Sequence, residues 1–515
     1  MRTKNNFLSA LILCIVVAAA VSRTASAQER IVTLPAETDL VKFINDDAAA
    51  RTSFLPGQTI YELARDGYYV CRSSLTTLGY HLYIRAAAGS GPKPIVRPGS
   101  PDGVGTGGRV FFPGDDFTLK NVYLANKDDL GNLINNGIRM NVAGKKITID
   151  SCHLDYDVQS LVRLDASNCK VIIKNSIVSN LGNNNGLNGR VVDTRSNNQD
   201  TIILQNNIIY NVAEKIMRTA GSVVKFIKID HNTIVNCTEG DIDFGPVVKG
   251  YFTNNLLYNC GYSGNDSTSV GSEILASSSA QFLEIRNNNY FINPDVIAAY
   301  PKSVTSCYSL APYSKWRFLD TSTARIAALS GNFTGNDSLA VTLIKSPKFT
   351  VECMLDFNST CVLAPNKKDN DPGEGIKIDF EPHYVFDFTY SKSSPLYTRG
   401  DGGTPVGSLL EWKIPLSVEN SRDGGTIPEQ YAVINNYPNP FNPVTTVEYR
   451  LPTRGAMTLT VVDVIGRVMV TLVNGTMDAG THYVQFDASR FGSGTYFAVL
   501  RSSDGVVTRK MILAK

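Results

Sequence analysis

Seven ten-residue segments in the middle of this 515-residue chain repeat one pattern, and that pattern admits few folds. They begin at Phe117, Ile147, Val171, Ile202, Ile227, Gly250 and Leu283, so the spacing runs between 23 and 33 residues. Each opens with a short β-branched strand such as Val171-Ile-Ile-Lys, turns at a polar residue that is usually Asn, and closes with a second apolar strand. A further strand precedes most of them, as in Leu161–Leu164, Arg190–Asp193 and Asp241–Phe244. A coil of this kind cannot bury its own apolar face, whereas stacked coils place Ile on Ile and Val on Val in one continuous core. The repeat therefore predicts an all-β fold, a right-handed parallel β-helix.

Composition supports this where it is uneven. Of 42 Asn, 28 fall between residues 117 and 293. Asn tolerates the left-handed backbone and bonds nearby backbone through its amide, so it suits solenoid turns. Stacking should bring Asn126, Asn180, Asn211, Asn236 and Asn259 into one column at strand spacing, with Tyr156 and Ile292 interrupting it. Ahead of the repeat, Asp39 to Arg51 reads as an amphipathic helix with Leu40, Phe43 and Ile44 on one side, fit to cap the open end of the solenoid. Residues 296–395 lack the repeat and read as irregular last coils and a C-terminal cap.

The first 27 residues read as a secretory signal peptide. Arg2 and Lys4 precede an apolar stretch from Phe7 to Val21, and Ala25-Ser26-Ala27 forms a small-x-small cleavage site. Removal takes Arg2, Lys4 and Arg23 away, so the formal charge falls from +2 to about −1 and gives no reason to expect nucleic acid. No later stretch is long and apolar enough for a transmembrane segment. Eight cysteines remain; their spacings fit no zinc template, and export permits disulfides without establishing them.

Residues 416–430 read as a linker, and residues 431–515 as alternating strands of a small immunoglobulin-like β-sandwich. Four ordered motifs stand out here: Tyr437-Pro-Asn-Pro-Phe-Asn-Pro443, Val461-Val-Asp-Val-Ile-Gly466, Gly494-Thr-Tyr-Phe497 and Thr508-Arg-Lys-Met-Ile-Leu513. In them the chain closely resembles the C-terminal sorting domain of the type IX secretion system of Bacteroidetes-like bacteria. The resemblance implies recognition by that machinery and delivery to the extracellular space or the outer-membrane surface. The cargo would then span residues 28–415.

For the cargo, the strand preceding each repeat offers Arg139, Arg163, Asp193 or Arg195, Arg218 and Asp243 as outward side chains. A column of arginines suits the carboxylates or sulfates of an acidic polysaccharide, because a guanidinium binds such groups bidentately. The repeat resembles the pectate-lyase-like β-helix superfamily, and Asn232-Thr-Ile-Val-Asn-Cys-Thr-Glu-Gly240 is similar to a rung of chondroitinase B and alginate lyases. That resemblance implies a Lys base and an Arg on neighbouring coils, with calcium or cations neutralising a uronate. Here the two positions fall near Thr219 and Gly245, which supply neither. A hydrolase would need paired carboxylates, for which Glu239, Asp241 and Asp243 are candidates, but the Gly-His-Gly element of polygalacturonases is absent. Asp369 to Glu374 is half of a calcium loop, so calcium is a conceivable cofactor without a clear site. Ser394 to Gly407, with Trp412, resembles the closing segment that follows such β-helices in other secreted proteins of these bacteria. Binding or degradation of polysaccharide is the expected function, and a non-catalytic adhesin or structural β-helix is the alternative.

Overall fold

The computed structural model describes residues 30–50, 59–77, 79–99, 110–128, 133–182, 188–237, 242–261, 274–276, 280–293, 333–346, 386–414, 433–437, 439–451, 454–464, 466–478, 480–502 and 505–515. The signal-peptide and linker readings, Glu239, Asp241 and the Asp369–Glu374 turn lie outside them. The chain divides between Pro415 and Leu416 into two compact units.

The first unit is a parallel β-solenoid with three faces. Face 1 is an 11-stranded sheet running from Arg30–Leu34 to Phe333–Thr334. Face 2 has nine strands, from Tyr68–Cys71 to Asn289–Phe291, and face 3 has eight, from Leu75–Thr77 to Ile274–Ala276. All pairings between coils are parallel, and identical positions of the repeat lie in register, as Ile147↔Val171, Val171↔Ile202 and Ile202↔Ile227. Alternation does this work: Ile147, Ile149, Val171, Ile173, Ile202, Leu204, Ile227 and Ile229 are fully buried, while the residues between them face outward.

Asparagine ladders run up two corners of the stack. At the corner after face 2, Asn180, Asn211, Asn236 and Asn259 all have φ between 52° and 55°. The Nδ2 of Asn211, Asn236 and Asn259 donates to the Oδ1 of the Asn one coil earlier, at 3.0, 3.2 and 3.3 Å. Asn126 stands apart from the expected column: it is fully buried, has no left-handed φ, and its side-chain amide has no hydrogen-bond partner among the described residues. Tyr156 keeps the left-handed conformation, and Asp155 accepts the bond from Asn180 at 2.9 Å. A second, inner ladder lies at the corner between faces 1 and 2. There Asn207, Asn232, Asn255 and Asn288 each give their backbone N–H and their Nδ2 to the Oδ1 of the next, ending on Asn336.

The helix forms at Leu40–Ala49, where Asp39 caps it by accepting from the amides of Val41 and Lys42. Leu40, Val41 and Ile44 join the solenoid core beside Leu34, Tyr61 and Tyr69. Cys71, Cys152, Cys169, Cys237 and Cys260 are free and buried, whereas Cys307, Cys353 and Cys361 lie outside the described residues. Burial raises the thiols of Cys71, Cys152, Cys169 and Cys260, to about 12 for Cys152 and Cys260, so the reactive thiolate is suppressed. Peptide mapping after alkylation of the folded protein is expected to find all five unmodified, and all five labelled in denaturant. Rapid native labelling of any one would contradict its burial.

Residues 386–414 lie along face 2 as a strap. Phe388, Tyr390, Leu396 and Val406 pack onto Tyr210, Val235, Leu256 and Tyr258. Polar bonds fix its course: Asp401 accepts from Asn254 and Asn287 and pairs with Arg286, and the amide of Leu409 donates to Asn206 Oδ1 at 2.7 Å.

The second unit holds a three-stranded and a four-stranded antiparallel sheet around one core that includes Phe441, Tyr449, Leu459, Phe486, Leu500 and Met511. The Asn439-Pro-Phe441 stretch pins the last strand. Phe441 exchanges backbone bonds with Ile512 and Ala514, and Asn439 bonds Lys510 and Ile512.

Candidate functional site

Face 3 carries five of the six sequence-selected residues on adjoining strands. Arg139 on Ile138–Met140 is in register with Arg163 on Ser160–Leu164. Arg163 aligns with Asp193, and Asp193 with Arg218. Asp243 lies on the following strand, Ile242–Gly245, beside the Met217↔Ile242 pair. Neighbouring strands are about 4.8 Å apart, which sets the rise of the column. Arg195 falls outside it. The strand stops at Asp193, and Arg195 turns away with φ 52°, its guanidinium 3.9 Å from the Asp193 carboxylate.

The arginines differ in what they still have to give. Arg139 and Arg163 both engage the carboxylate of Asp165 through Nε. Burial opposes ionisation of Asp165, but Arg163 and Arg139 outweigh it and hold the carboxyl below its usual range. Among the described residues the terminal nitrogens of both guanidinium groups have no hydrogen-bond partner. Their side chains are 26 % and 18 % exposed, so those nitrogens can be reached from solvent. Half-buried Phe112 extends the column one coil earlier, its ring 5.6 Å from the Arg139 guanidinium carbon.

Arg218 is committed differently. Its Nε and Nη2 bind Asp193 bidentately at 3.2 and 2.9 Å. Asp193 and Glu214 together face Arg190, Arg195 and Arg218. Asp165 likewise faces two arginines. Asp243 is occupied by Thr219, accepting its amide at 2.7 Å and its hydroxyl at 2.8 Å.

Thr219 and Gly245, the two positions singled out by the resemblance to lyases, carry neither a base nor a guanidinium. Thr219 is fully buried. Gly245 has φ 50°, and a Cβ there would come within 2.4 Å of the Thr219 hydroxyl oxygen. Among the described residues no group of three His, Cys, Asp or Glu side chains is placed to hold a metal ion, and no helix is long and apolar enough to cross a membrane.

Sequence reasoning missed Asp165 and Phe112. The first was visible as an acid two residues after Arg163. The second needed the register Ile138↔Phe111 to place it beside Arg139.

Comparison with known proteins finds a family match within the second unit. Residues 435–514 match the family described as the secretion system C-terminal sorting domain. This is the type IX sorting tail, which directs the chain to that secretion machinery for export to the cell surface or the extracellular space. No curated protein and no solved structure matches the chain.

Proposed function

We propose that this exported β-solenoid binds acidic extracellular polysaccharide along face 3, after removal of residues 1–27 as an export leader. One observation carries the reading: Arg139 and Arg163, fixed through Nε on a shared Asp165, have terminal nitrogens with no hydrogen-bond partner among the described residues, on adjacent coils. A shared anchor lowers the entropy lost on capturing an anion, because both guanidinium planes are already held. A row of such groups at strand spacing matches a linear polymer better than a single small anion. Thr219 and Gly245 give no support to elimination chemistry, so binding is the function proposed.

The test is retention of the mature secreted protein on immobilised alginate and chondroitin sulfate, with dextran as the neutral control. Wild type should be retained on the acidic columns and released by salt. The double variant Arg139→Ala/Arg163→Ala should bind about 30-fold more weakly, from the loss of two charge-assisted contacts. Arg163→Lys keeps the charge but loses the fork and should fall between them. Unchanged retention of the double variant would reduce face 3 to a solvated charged surface. Growth of absorbance from unsaturated products would replace binding with lyase activity.

A further inference from the structure

Face 1 carries an aromatic and cationic patch that the face 3 reading does not use. Phe226 is in register with Lys249, and Lys228 with Tyr251. Phe282 immediately precedes the next strand, where Leu283 pairs with Gly250. The outward side chains therefore alternate: Phe226, Lys249 and Phe282 on one row, and on the row beside it Lys228, Tyr251 and Glu284, whose carboxylate is paired with Arg286. The three rings form a zigzag, with centroids 5.8 Å apart from Phe226 to Tyr251 and 5.7 Å from Tyr251 to Phe282. All three are half-buried, so each rests on the sheet and keeps part of its surface in solvent.

Lys249 sits among them, its Nζ 5.5 Å from the Tyr251 ring centroid and 5.7 Å from that of Phe282. Neighbouring lysines are matched with acids, Lys225 with Asp200 at 3.5 Å and Lys228 with Asp230 at 3.6 Å. Lys249 has no carboxylate partner among the described residues. The rings hold the ammonium in place without neutralising it.

We propose that Phe226, Lys249, Tyr251 and Phe282 form a second glycan-binding platform, which takes an acidic sugar by stacking its ring on the aromatic faces and pairing its carboxylate or sulfate with Lys249. Apolar ring surface joined to one uncompensated cation has the complementary chemistry to a pyranose bearing an anionic group. A wholly apolar partner would leave Lys249 buried and unpaired, which is costly. The proposal rests on the ligand being an acidic polysaccharide, as on face 3, and adds a contact on a different face, several coils further along the solenoid from Arg139 and Arg163.

The experiment uses the full mature protein and the same three columns. Lys249→Glu places an acid on the platform without removing any ring, and is expected to weaken retention on both acidic glycans by about tenfold. Tyr251→Ala should weaken it by a similar factor. Circular dichroism and the denaturation midpoint confirm that each variant is folded, and Lys249→Gln serves if Tyr251→Ala is not. Loss on alginate and chondroitin sulfate alike assigns a carboxylate-compatible site, and loss on chondroitin sulfate alone assigns sulfate. If wild type is retained while Lys249→Glu and Lys249→Gln bind like it, the platform is no glycan site, although the face 3 reading stands. If wild type is not retained on either acidic column, the polysaccharide reading itself falls. A wild-type dimer in solution that Lys249→Glu dissociates would overturn the proposal in favour of a protein interface.

Discussion

Asn232→Leu is expected to destabilise the solenoid by about 4 kcal/mol, seen as a large drop in the denaturant midpoint, although the two side chains are close in size. Asn232 lies fully buried in the inner ladder. Its Oδ1 accepts both the amide and the Nδ2 of Asn207 at 3.0 Å. Its own Nδ2 donates to the carbonyls of Leu204 and Asp230 and to Asn255 Oδ1. Leucine can do none of this, so the Asn207 amide and the Leu204 carbonyl are left in an interior that water does not reach, at about 1–3 kcal/mol for each. Neighbouring coils lose their registration as well, because each ladder bond joins one coil to the next.

The molecule supplies the control. Ser176 occupies the corresponding corner position one coil before the ladder begins. Its hydroxyl accepts the Cys152 amide at 3.0 Å and donates to the Lys174 carbonyl at 2.7 Å. Serine therefore reproduces two of the backbone bonds of that corner, from the preceding coil's amide and to the carbonyl two residues back, and Asn232→Ser should cost about half as much as Asn232→Leu. Equal losses for the two variants would mean that the serine hydroxyl does not replace the bonds of the amide at this corner.

The same corner shows what the sequence makes legible. The strands were readable because inward Ile and Val alternate with polar residues and recur every coil, so Val171, Ile202 and Ile227 could be aligned without coordinates. The column through Asn180, Asn211, Asn236 and Asn259 was readable because one residue type recurs at one offset. The inner ladder was not, although Asn206-Asn207, Asn254-Asn255 and Asn287-Asn288 stand side by side in the repeat. Which of two adjacent Asn turns inward depends on the left-handed conformation of the first, at φ 56°, 58° and 56°. Propensity does not specify that direction. On face 3 the register of Arg139 with Arg163 followed from the repeat, while Arg195 was misplaced because the strand ends two residues before it. The aromatic platform escaped because its members come from different coils and mix two outward rows. The strap was the least legible, since its partners lie 147 and 203 residues away and carry no period.

The strap yields the second large effect. Gly407→Val is expected to detach residues 386–414 from face 2 while the coils beneath remain stacked. Gly407 holds φ 97°, and a Cβ there would meet the Thr233 hydroxyl oxygen at 2.6 Å and Leu256 Cβ at 3.0 Å. Its amide donates to the Asn254 carbonyl at 2.7 Å, so the backbone cannot withdraw to make room without breaking that bond. A β-branched residue adds the strain of a left-handed conformation to the clash, about 3 kcal/mol or more in sum. Two other tethers lie close by: the Ser408 amide on Thr233 Oγ1 at 2.8 Å and the Leu409 amide on Asn206 Oδ1. The second exists because His231 stands where the next outer-turn Asn would be, which leaves Asn206 Oδ1 for the strap. Displacing Gly407 therefore strains both neighbours and uncovers Tyr210, Val235, Leu256 and Tyr258. Limited proteolysis should cut the variant within residues 386–414 under conditions that spare wild type, and binding of a hydrophobic dye should rise. Gly402→Ala is the matched control, with a left-handed φ of 67° but open space around the added carbon. It should stay protected, because strain without collision costs about 1–2 kcal/mol and leaves the apolar contacts in place. Protection of Gly407→Val equal to wild type would show that the apolar residues of the strap hold it without the close approach at Gly407.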